Sequence, residues 1–249
     1  MAGMNAGYGS ELHLLRMLGR HRAYFDAKVC DATGATAIEW RDFLSGEMRR
    51  DKEGNVFWDR EWQRLNFLPD DASAKTAWCR AWPTQGEGHN WDAIGEIDLN
   101  GSREWLLVEA KANVQELRSS CGAKDKMSLK RIQRTLDNTR TALGVPESCD
   151  WTKRYYQYCN RLAALHFVNV NGSAARLLFI YFYGDIGDER RTCPASVSDW
   201  TKALADMDAY VTLRADHSLQ DRIHKLFIDV RCVDWVPRKE KGHEDDPRG

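Results

Sequence analysis

The sequence lacks the cysteine and histidine spacings that mark a disulfide framework or a zinc-binding module. Its seven cysteines are an odd number with no Cys-x-x-Cys pair, and its seven histidines form neither a His-Glu-x-x-His nor a His-x-His motif. Zinc ribbons and disulfide scaffolds depend on such spacings. We therefore expect most of the cysteines to be buried, inert thiols.

Long hydrophobic segments are also missing. The longest apolar run, residues 177–183, is far shorter than the roughly 20 residues that a membrane-spanning helix needs. Residues 1–10 have neither a basic start nor an apolar stretch, so no secretory signal is visible. We expect a soluble, cytoplasmic protein with no membrane partner.

The chain has no overall excess of charge of one sign. It carries 36 basic and 37 acidic residues, a net charge of −1, so bulk charge predicts no polyanionic partner. Locally, residues 118–140 contain seven Lys or Arg and two acidic residues. Such a stretch is usually the solvated face of a helix, and it becomes informative when a catalytic site lies beside it.

The composition is that of a globular protein, with 43% hydrophobic and 29% charged residues. Without a repeat or a long linker, the 249 residues predict one domain over 1–237 and a polar, disordered tail over 238–249. Helical and strand patterns alternate, which predicts an α/β fold with a mixed central β-sheet flanked by helices. The predicted helices are 10–29, 38–49, 59–66, 115–143, 151–168 and 197–209, and the predicted strands are 75–82, 91–99, Ser102–Lys111, Ala175–Tyr183 and 226–233.

The dipeptide Asn100-Gly101 separates two apolar stretches and predicts a β-hairpin. Both residues tolerate the positive φ of a type I′ turn, which gives a two-residue loop. In that register the numbers of paired residues sum to 201. Glu109 then faces Asp92, with Cβ atoms about 4.5–5.5 Å apart.

Charged residues end the second strand of this hairpin. Glu109 and Lys111 follow the apolar run 105–108, so their side chains point to the same face of a buried strand. Burying them is costly unless they are paired or bound to a ligand. Two carboxylates as close as Asp92 and Glu109 repel each other unless a divalent cation lies between them.

Asp98 is the competing candidate for the second carboxylate. The same register pairs Asp98 with Arg103, close to the turn, and this predicts a cross-strand ion pair. A longer loop centred nearer Arg103 would reverse the choice between Asp92 and Asp98.

With these residues the chain resembles the PD-(D/E)XK nuclease superfamily, which has the restriction-endonuclease-like fold. The resemblance rests on Asn90-Trp91-Asp92 and Val108-Glu109-Ala110-Lys111, set on a hairpin that a helix and a strand follow. It covers about 75–183 and implies an αβββαβ core with N-terminal and C-terminal additions. Asn-Trp stands before the aspartate where many members have Pro, although that proline is often missing.

The resemblance implies a nuclease that uses Mg²⁺ or Mn²⁺. Asp92 and Glu109 would bind the metal with the backbone carbonyl of Ala110, while Lys111 would orient the attacking water or stabilise charge on the phosphate. Phosphodiester hydrolysis needs a cation that neutralises phosphate oxygens and activates water. Mg²⁺ uses few carboxylates and keeps several waters, so this small ligand set suffices.

Two helix residues extend the implied site. Glu11 matches a helix acid that some members place near the metal, although a Glu in a first turn also favours the helix dipole. Gln157 matches a glutamine that exonuclease-like members carry before the last core strand, but Arg161 rather than Tyr follows it.

The implied partner is nucleic acid, with DNA preferred over RNA, and a homodimer is allowed because many such nucleases pair to cut both strands. The basic stretch should then border the site. The candidate substrate-binding residues are Lys124, Lys126, Lys130, Arg131 and Arg134.

The sequence also allows other interpretations. The fold could serve as a non-catalytic binding module, or the carboxylates could hydrolyse a small phosphate ester in a closed pocket. Glu109 or Asp92 could also form nothing more than a structural ion pair with Lys111.

Overall fold

The computed structural model describes residues 9–50, 56–84, 88–185 and 192–231, so the tail 238–249 lies outside the described residues. None of the helices in these ranges is long and apolar enough to cross a bilayer. The helices are α1 Ser10–Gly19, α2 Arg22–Thr33, α3 Ser73–Ala81, α4 Lys126–Ala142, α5 Tyr156–Val170 and α6 Val197–Val211. The strands are β1 Ala37–Trp40, β2 Leu44–Arg50, β3 Val56–Arg60, β4 Trp62–Gln63, β5 Asn90–Trp91, β6 Ala93–Leu99, β7 Ser102–Lys111, β8 Ala175–Tyr183 and β9 Ile223–Asp229.

A five-stranded sheet in the order β1-β6-β7-β8-β9 forms the centre of the fold. β1, β6 and β7 pair antiparallel, whereas β7, β8 and β9 pair parallel. Parallel neighbours need long crossovers, and here α4 and α5 connect β7 to β8 while α6 connects β8 to β9. The predicted α/β fold with a mixed sheet flanked by helices is confirmed.

The predicted hairpin is confirmed in turn and register. Asn100 and Gly101 have φ values of 56° and 90°, as a type I′ turn requires, and pairs such as Ala93 with Val108 sum to 201. Asp98 lies opposite Arg103, but the predicted ion pair between them is wrong. The reason is that other groups satisfy both side chains: Asp98 accepts from the backbone N–H of Gly101 at 2.6 Å, and the Arg103 guanidinium pairs with Glu39 and Glu96.

Two apolar cores lie on opposite faces of the sheet, and β8 contributes to both. Phe179 and Tyr181 pack towards α4, α5 and α6, whereas Ile180 and Phe182 pack towards α1 and α2. The strand alternation places successive side chains on opposite faces. The expectation of a central strand buried on both faces is confirmed.

The predicted strand 75–82 is wrong, because this segment belongs to helix α3. Ala74 and Trp78 are buried at helical i, i+4 spacing, and the next residue at this spacing, Trp82, stacks on Trp78 with ring centroids 5.0 Å apart. The apparent alternation of polar and apolar residues concealed this longer period.

The predicted helices 38–49 and 59–66 are also wrong. The first segment forms β1 and β2, and the second contains the end of β3, β4 and turns. β1 pairs with β6 and β4 pairs with β5, so strand partners distant in sequence override local helical preference.

Other predicted boundaries differ in detail. The helix 10–29 is two helices, broken at Arg20 and His21, and the region 115–143 is a short 3-10 helix (Val114–Leu117) followed by α4. The helix 151–168 begins at Tyr156, and the strand 226–233 is β9, three residues earlier at its start.

Candidate active site

The end of β7 brings charged side chains to the face of the sheet that α4 and α5 cover. Val108 and Ala110 belong to the core beside α1 and α2, and Leu107 belongs to the opposite core. By alternation, Glu109 and Lys111 follow Leu107 towards α5. Their side chains are only 3% and 12% exposed, so both are buried charges.

Asp92 lies beside Glu109, as the register predicts. The Asp92 amide donates to the carbonyl of Val108 at 3.1 Å, and Asp92 Oδ2 accepts from the amide of Ala110 at 2.6 Å. These two bonds continue the hairpin by one residue and fix the carboxylate against β7. Asp98 is six residues further along, about 20 Å at ~3.3 Å per residue, at the turn end of the hairpin.

Arg161 of α5 is a central member of the site. Its Nε donates to Glu109 Oε2 at 2.7 Å, while its other nitrogens donate to Asn160 Oδ1 at 2.7 Å and to the Asn90 carbonyl at 2.5 Å. Its guanidinium lies 5.0 Å from the ring centroid of Trp91, within cation–π range. Arg161 thereby ties α5 to both strands that carry the carboxylates.

Glu109 therefore pairs with two cations. Lys111 Nζ donates to Glu109 Oε1, and Arg161 occupies Oε2. Burial raises the pKa of Glu109, but the charges of Arg161 and Lys111 outweigh it and the pKa is lowered. Burial lowers the pKa of Lys111, but Glu109 and Asp92 raise it above its usual value.

Asp92 has the opposite balance. Burial and the charge of Glu109 raise the pKa of Asp92 to about 8, and Lys111 offsets only part of this effect. Asp92 and Glu109 thus act as two carboxylates that share one site, of which one ionises readily and the other resists ionisation.

Gln157 lies where the sequence predicts it, within reach of Lys111. Lys111 Nζ donates to Gln157 Oε1 at 3.3 Å, and the backbone N–H of Gln157 donates to Ser119 Oγ at 2.8 Å. Gln157 and Arg161 are one helical turn apart, so α5 presents both to the end of β7.

A third carboxylate, Glu61, approaches from β4. The pairing of Trp62 with Trp91, continued by one residue, sets Glu61 opposite Asp92. Burial raises the pKa of Glu61, Asn90 lowers it through a hydrogen bond, and the charges of Glu109 and Glu11 raise it further. Glu11, also predicted to bind the metal, is exposed on α1, and within the described residues no hydrogen bond joins it to Asp92 or Glu109.

These groups line a cavity of about 1090 Å³. Its wall includes Asp92, Glu109, Lys111 and Gln157, together with Glu61 and Arg161. Of the five basic residues predicted to bind substrate, Lys124 lines the cavity, and Arg118 does so as well.

The other four basic residues lie on α4 and are exposed. Ser128 and Ile132 are the α4 residues that line the cavity. With 3.6 residues per turn, Lys126, Lys130 and Arg134 point roughly 140–180° away from that pair, and Arg131 roughly 80° away. The basic stretch thus borders the cavity with its N-terminal part, and most of the α4 cations face solvent.

The donor set can accommodate a hard cation. In the described part of the chain, no group of three or more His, Cys, Asp or Glu side chains is arranged to hold a metal ion. Mg²⁺, however, commonly binds through one or two carboxylates and keeps water in its other positions. Asp92, Glu109 and the carbonyl of Ala110 could supply such a set, because each carboxylate oxygen retains acceptor capacity beyond one hydrogen bond.

Sequence analysis missed two members of this site. Arg161 had a usable signal, since it lies four residues after Gln157 on one helix. Glu61 had no such signal, because it reaches Asp92 through the pairing of β4 with β5 across an intervening helix.

No protein-family model, curated protein or solved structure matches this chain.

Proposed function

We propose that this protein is a metal-dependent phosphodiesterase of the PD-(D/E)XK type, a nuclease that uses Mg²⁺ or Mn²⁺. The observation that carries the proposal is the buried group of Asp92, Glu109 and Lys111 at the ends of adjacent strands, open to a cavity. The order of core elements, α2–β1–β6–β7–α5–β8, supports the restriction-endonuclease-like assignment.

The cost of this charge cluster supports a function rather than a structural role. Buried ion pairs seldom stabilise a fold more than apolar residues of the same size would. Among the described residues no cation bonds to Asp92, since Lys111 and Arg161 both bond to Glu109. A carboxylate left in that position favours an external cation as its partner.

Each residue has a distinct task in the proposed reaction. Lys111 faces the scissile phosphate and stabilises the negative charge that develops there, while Gln157 holds its ammonium in place. Arg161 keeps Glu109 ionised and oriented. Asp92 and Glu109 would hold the metal ion, which when bound would activate a water and neutralise phosphate oxygens.

The substrate we propose is a nucleic acid, with DNA preferred. Arg118 and Lys124 at the cavity wall supply phosphate contacts beside the carboxylates. The six cysteines in the described residues are free thiols, which supports a cytoplasmic location for this activity.

Cleavage of labelled DNA and RNA, single-stranded and duplex, tests the proposal. We expect cleavage with Mg²⁺ or Mn²⁺, none with EDTA, and none by Glu109→Ala or Lys111→Ala. Glu104→Ala is the matched control, because Glu104 lies on the same strand and pairs with Arg176 outside the cavity. Cleavage that survives in EDTA or in both site variants would contradict the assignment.

A non-catalytic binding module is the second candidate, and one observation favours it. Both oxygens of Glu109 already accept from cations, so the site is satisfied without a metal. This candidate predicts nucleic-acid binding that neither Mg²⁺ nor Lys111→Ala changes, with no cleavage of any substrate.

A further inference from the structure

The cavity at the candidate site has two walls, and α5 holds both of them in place. One wall contains residues 88–90 and is tied to α5 by a hydrogen bond from Arg161 to the Asn90 carbonyl. The other wall contains residues 118–125 and is tied to α5 one turn earlier, through Ser119 Oγ. A strand bound at the carboxylates therefore lies in a walled cavity rather than on an open surface.

One end of this cavity is closed by a contact between α3 and α4. Trp82 and Ile132 line that end, and they are only 3% and 5% exposed because both belong to the apolar core. Thr135, one turn after Ile132, donates through Oγ1 to the carbonyl of Ala81 at 2.7 Å. This bond joins the two helices directly beside the lining residues. The cavity is therefore a blind pocket.

The closed end lies a short distance beyond the carboxylates. The rings of Trp82 and His89 are 5.9 Å apart between centroids, and His89 is three residues from Asp92, or at most about 10 Å at ~3.3 Å per residue. At the ~3.4 Å rise of a stacked strand, this depth accommodates about three nucleotides. The volume of about 1090 Å³ agrees with this depth, because pockets of roughly 300–1,000 Å³ enclose most of a drug-sized ligand.

We infer that the substrate is the free end of a single strand, which enters the blind pocket and is cleaved about one to three nucleotides from its terminus. The inference rests on the proposed function and adds the substrate class to it. Internal cleavage needs a strand that continues on both sides of the reacting phosphate, and the contact between α3 and α4 blocks that continuation. A duplex carries a second strand for which a pocket of this volume has no room.

The products follow from the balance of the hydrolysis. The oxygen of water adds to the phosphorus, and the P–O bond to one sugar breaks. One proton of the water goes to the leaving sugar oxygen and the other goes to the solvent. Each cycle therefore releases a short fragment and leaves a new free end, which can enter the pocket in turn.

An endonuclease groove is the competing interpretation. In that case the strand crosses the mouth of the cavity, one phosphate reaches Lys111, and the closed end stays empty. The two interpretations differ in whether a strand without a free end is cleaved.

The first test compares a linear single strand with the same strand closed into a circle, using the wild-type protein and Mn²⁺. DNA and RNA strands are both assayed, and product lengths are read on denaturing gels at early times. We expect short terminal fragments from the linear strand and at least about 100-fold slower cleavage of the circle, because a strand without an end does not reach the aligned position. Strands labelled at the 5′ or the 3′ terminus show which end enters.

The second test narrows the pocket from α4. Ser128 lines the cavity one turn before Ile132, so Ser128→Trp fills space that the strand end needs. We expect about 100-fold slower cleavage of the linear strand, with hydrolysis of the small diester bis(p-nitrophenyl) phosphate within about twofold of wild type, because only the strand depends on the full depth for its alignment. Gln133→Trp, at an exposed α4 position outside the cavity wall, is the matched control and should equal wild type on both substrates.

The outcomes separate this inference from the proposed function. Cleavage of the circle at a rate comparable to that of the linear strand, or unchanged strand cleavage by Ser128→Trp, would overturn the blind-pocket inference and leave the nuclease proposal standing. If Ser128→Trp also loses activity on the small diester, the comparison of linear and circular strands by the wild-type protein decides. If the wild-type protein hydrolyses neither a strand nor the small diester, both proposals fall.

Discussion

The two faces of the central sheet present different kinds of side chain from the same strand. Towards α1 and α2, β7 presents Val108 and Ala110 to an apolar core. Towards α5, Glu109 follows Val108 and Lys111 follows Ala110. Glu109 pairs both with Lys111 and with the buried guanidinium of Arg161. At the end of β7, therefore, one face is apolar and the other gives up apolar packing to hold charge.

The neighbouring strand sharpens this contrast. Glu109 lies beside Phe179 of β8, and Lys111 lies beside Tyr181, both of which are buried. The charges are thus confined to the end of β7, to Asp92 and Glu61 on the segments beside it, and to the helix above it. Such confinement excludes water from most of the group and strengthens its electrostatic effect on a bound phosphate.

The largest expected effects come from two variants on opposite faces of the sheet, of which one lowers activity and the other lowers stability. Lys111→Met should lower the cleavage rate on the order of 1000-fold, because it removes charge stabilisation at the phosphate. Leu106→Ala, in the opposite core, should lower the free energy of unfolding by about 2–5 kcal/mol and leave the cleavage rate of the folded protein unchanged. Urea denaturation and single-turnover kinetics measure the two quantities; a Leu106→Ala protein that is folded and inactive would contradict the division between faces.

Arg161→Ala should have the largest effect on stability among the charged residues of the site. It leaves Glu109 buried with one cation fewer, so we expect a loss of about 3–5 kcal/mol in the free energy of unfolding. Arg103 is the matched control, since its side chain pairs with Glu39 and Glu96 while 55% exposed to solvent. Arg103→Ala should cost at most about 1 kcal/mol, and equal losses in the two variants would show that burial of the Arg161 pair has no special cost.

The pH dependence of stability isolates Asp92. Burial raises its pKa to about 8 in the folded protein, whereas the unfolded chain ionises near 4, so only the unfolded state loses a proton between these values. Metal-free wild type should therefore lose stability relative to Asp92→Asn as pH rises from 4 to 8, by about 1 kcal/mol between pH 7 and 8. Thermal unfolding of both proteins across this range measures the difference, and a constant difference would contradict the raised pKa.

The smallest expected effect is on DNA binding, and it distinguishes the cavity side of the basic stretch from its solvent side. Lys124→Ala, at the cavity wall, should weaken DNA binding a few-fold and reduce the salt dependence of log Kd by about one unit. Lys130→Ala, on the exposed side of α4, should change neither quantity measurably. Salt titrations of binding separate them, and a larger effect at Lys130 would move the DNA path onto the outer face of α4.

The hairpin and its carboxylates were predictable because local chemistry determines them. Asn100-Gly101 favours one turn, the turn sets the register, and the register brings Asp92 to Glu109. The region between β1 and β6 was not predictable, since β1 and β4 become strands only through partners distant in sequence. For the same reason Glu61 escaped notice, and Arg161 gained its role only when α5 packed over the end of β7.

The number of bound Mn²⁺ ions, measured by electron paramagnetic resonance, tests the central claim of a metal site at the end of β7. This measurement needs no assumption about the substrate. The account predicts binding of Mn²⁺ by the wild-type protein and its loss in both Asp92→Asn and Glu109→Gln, while Asp98→Asn binds as wild type does. Absence of binding at millimolar Mn²⁺, or equal binding by all four proteins, would contradict a metal site at the end of β7.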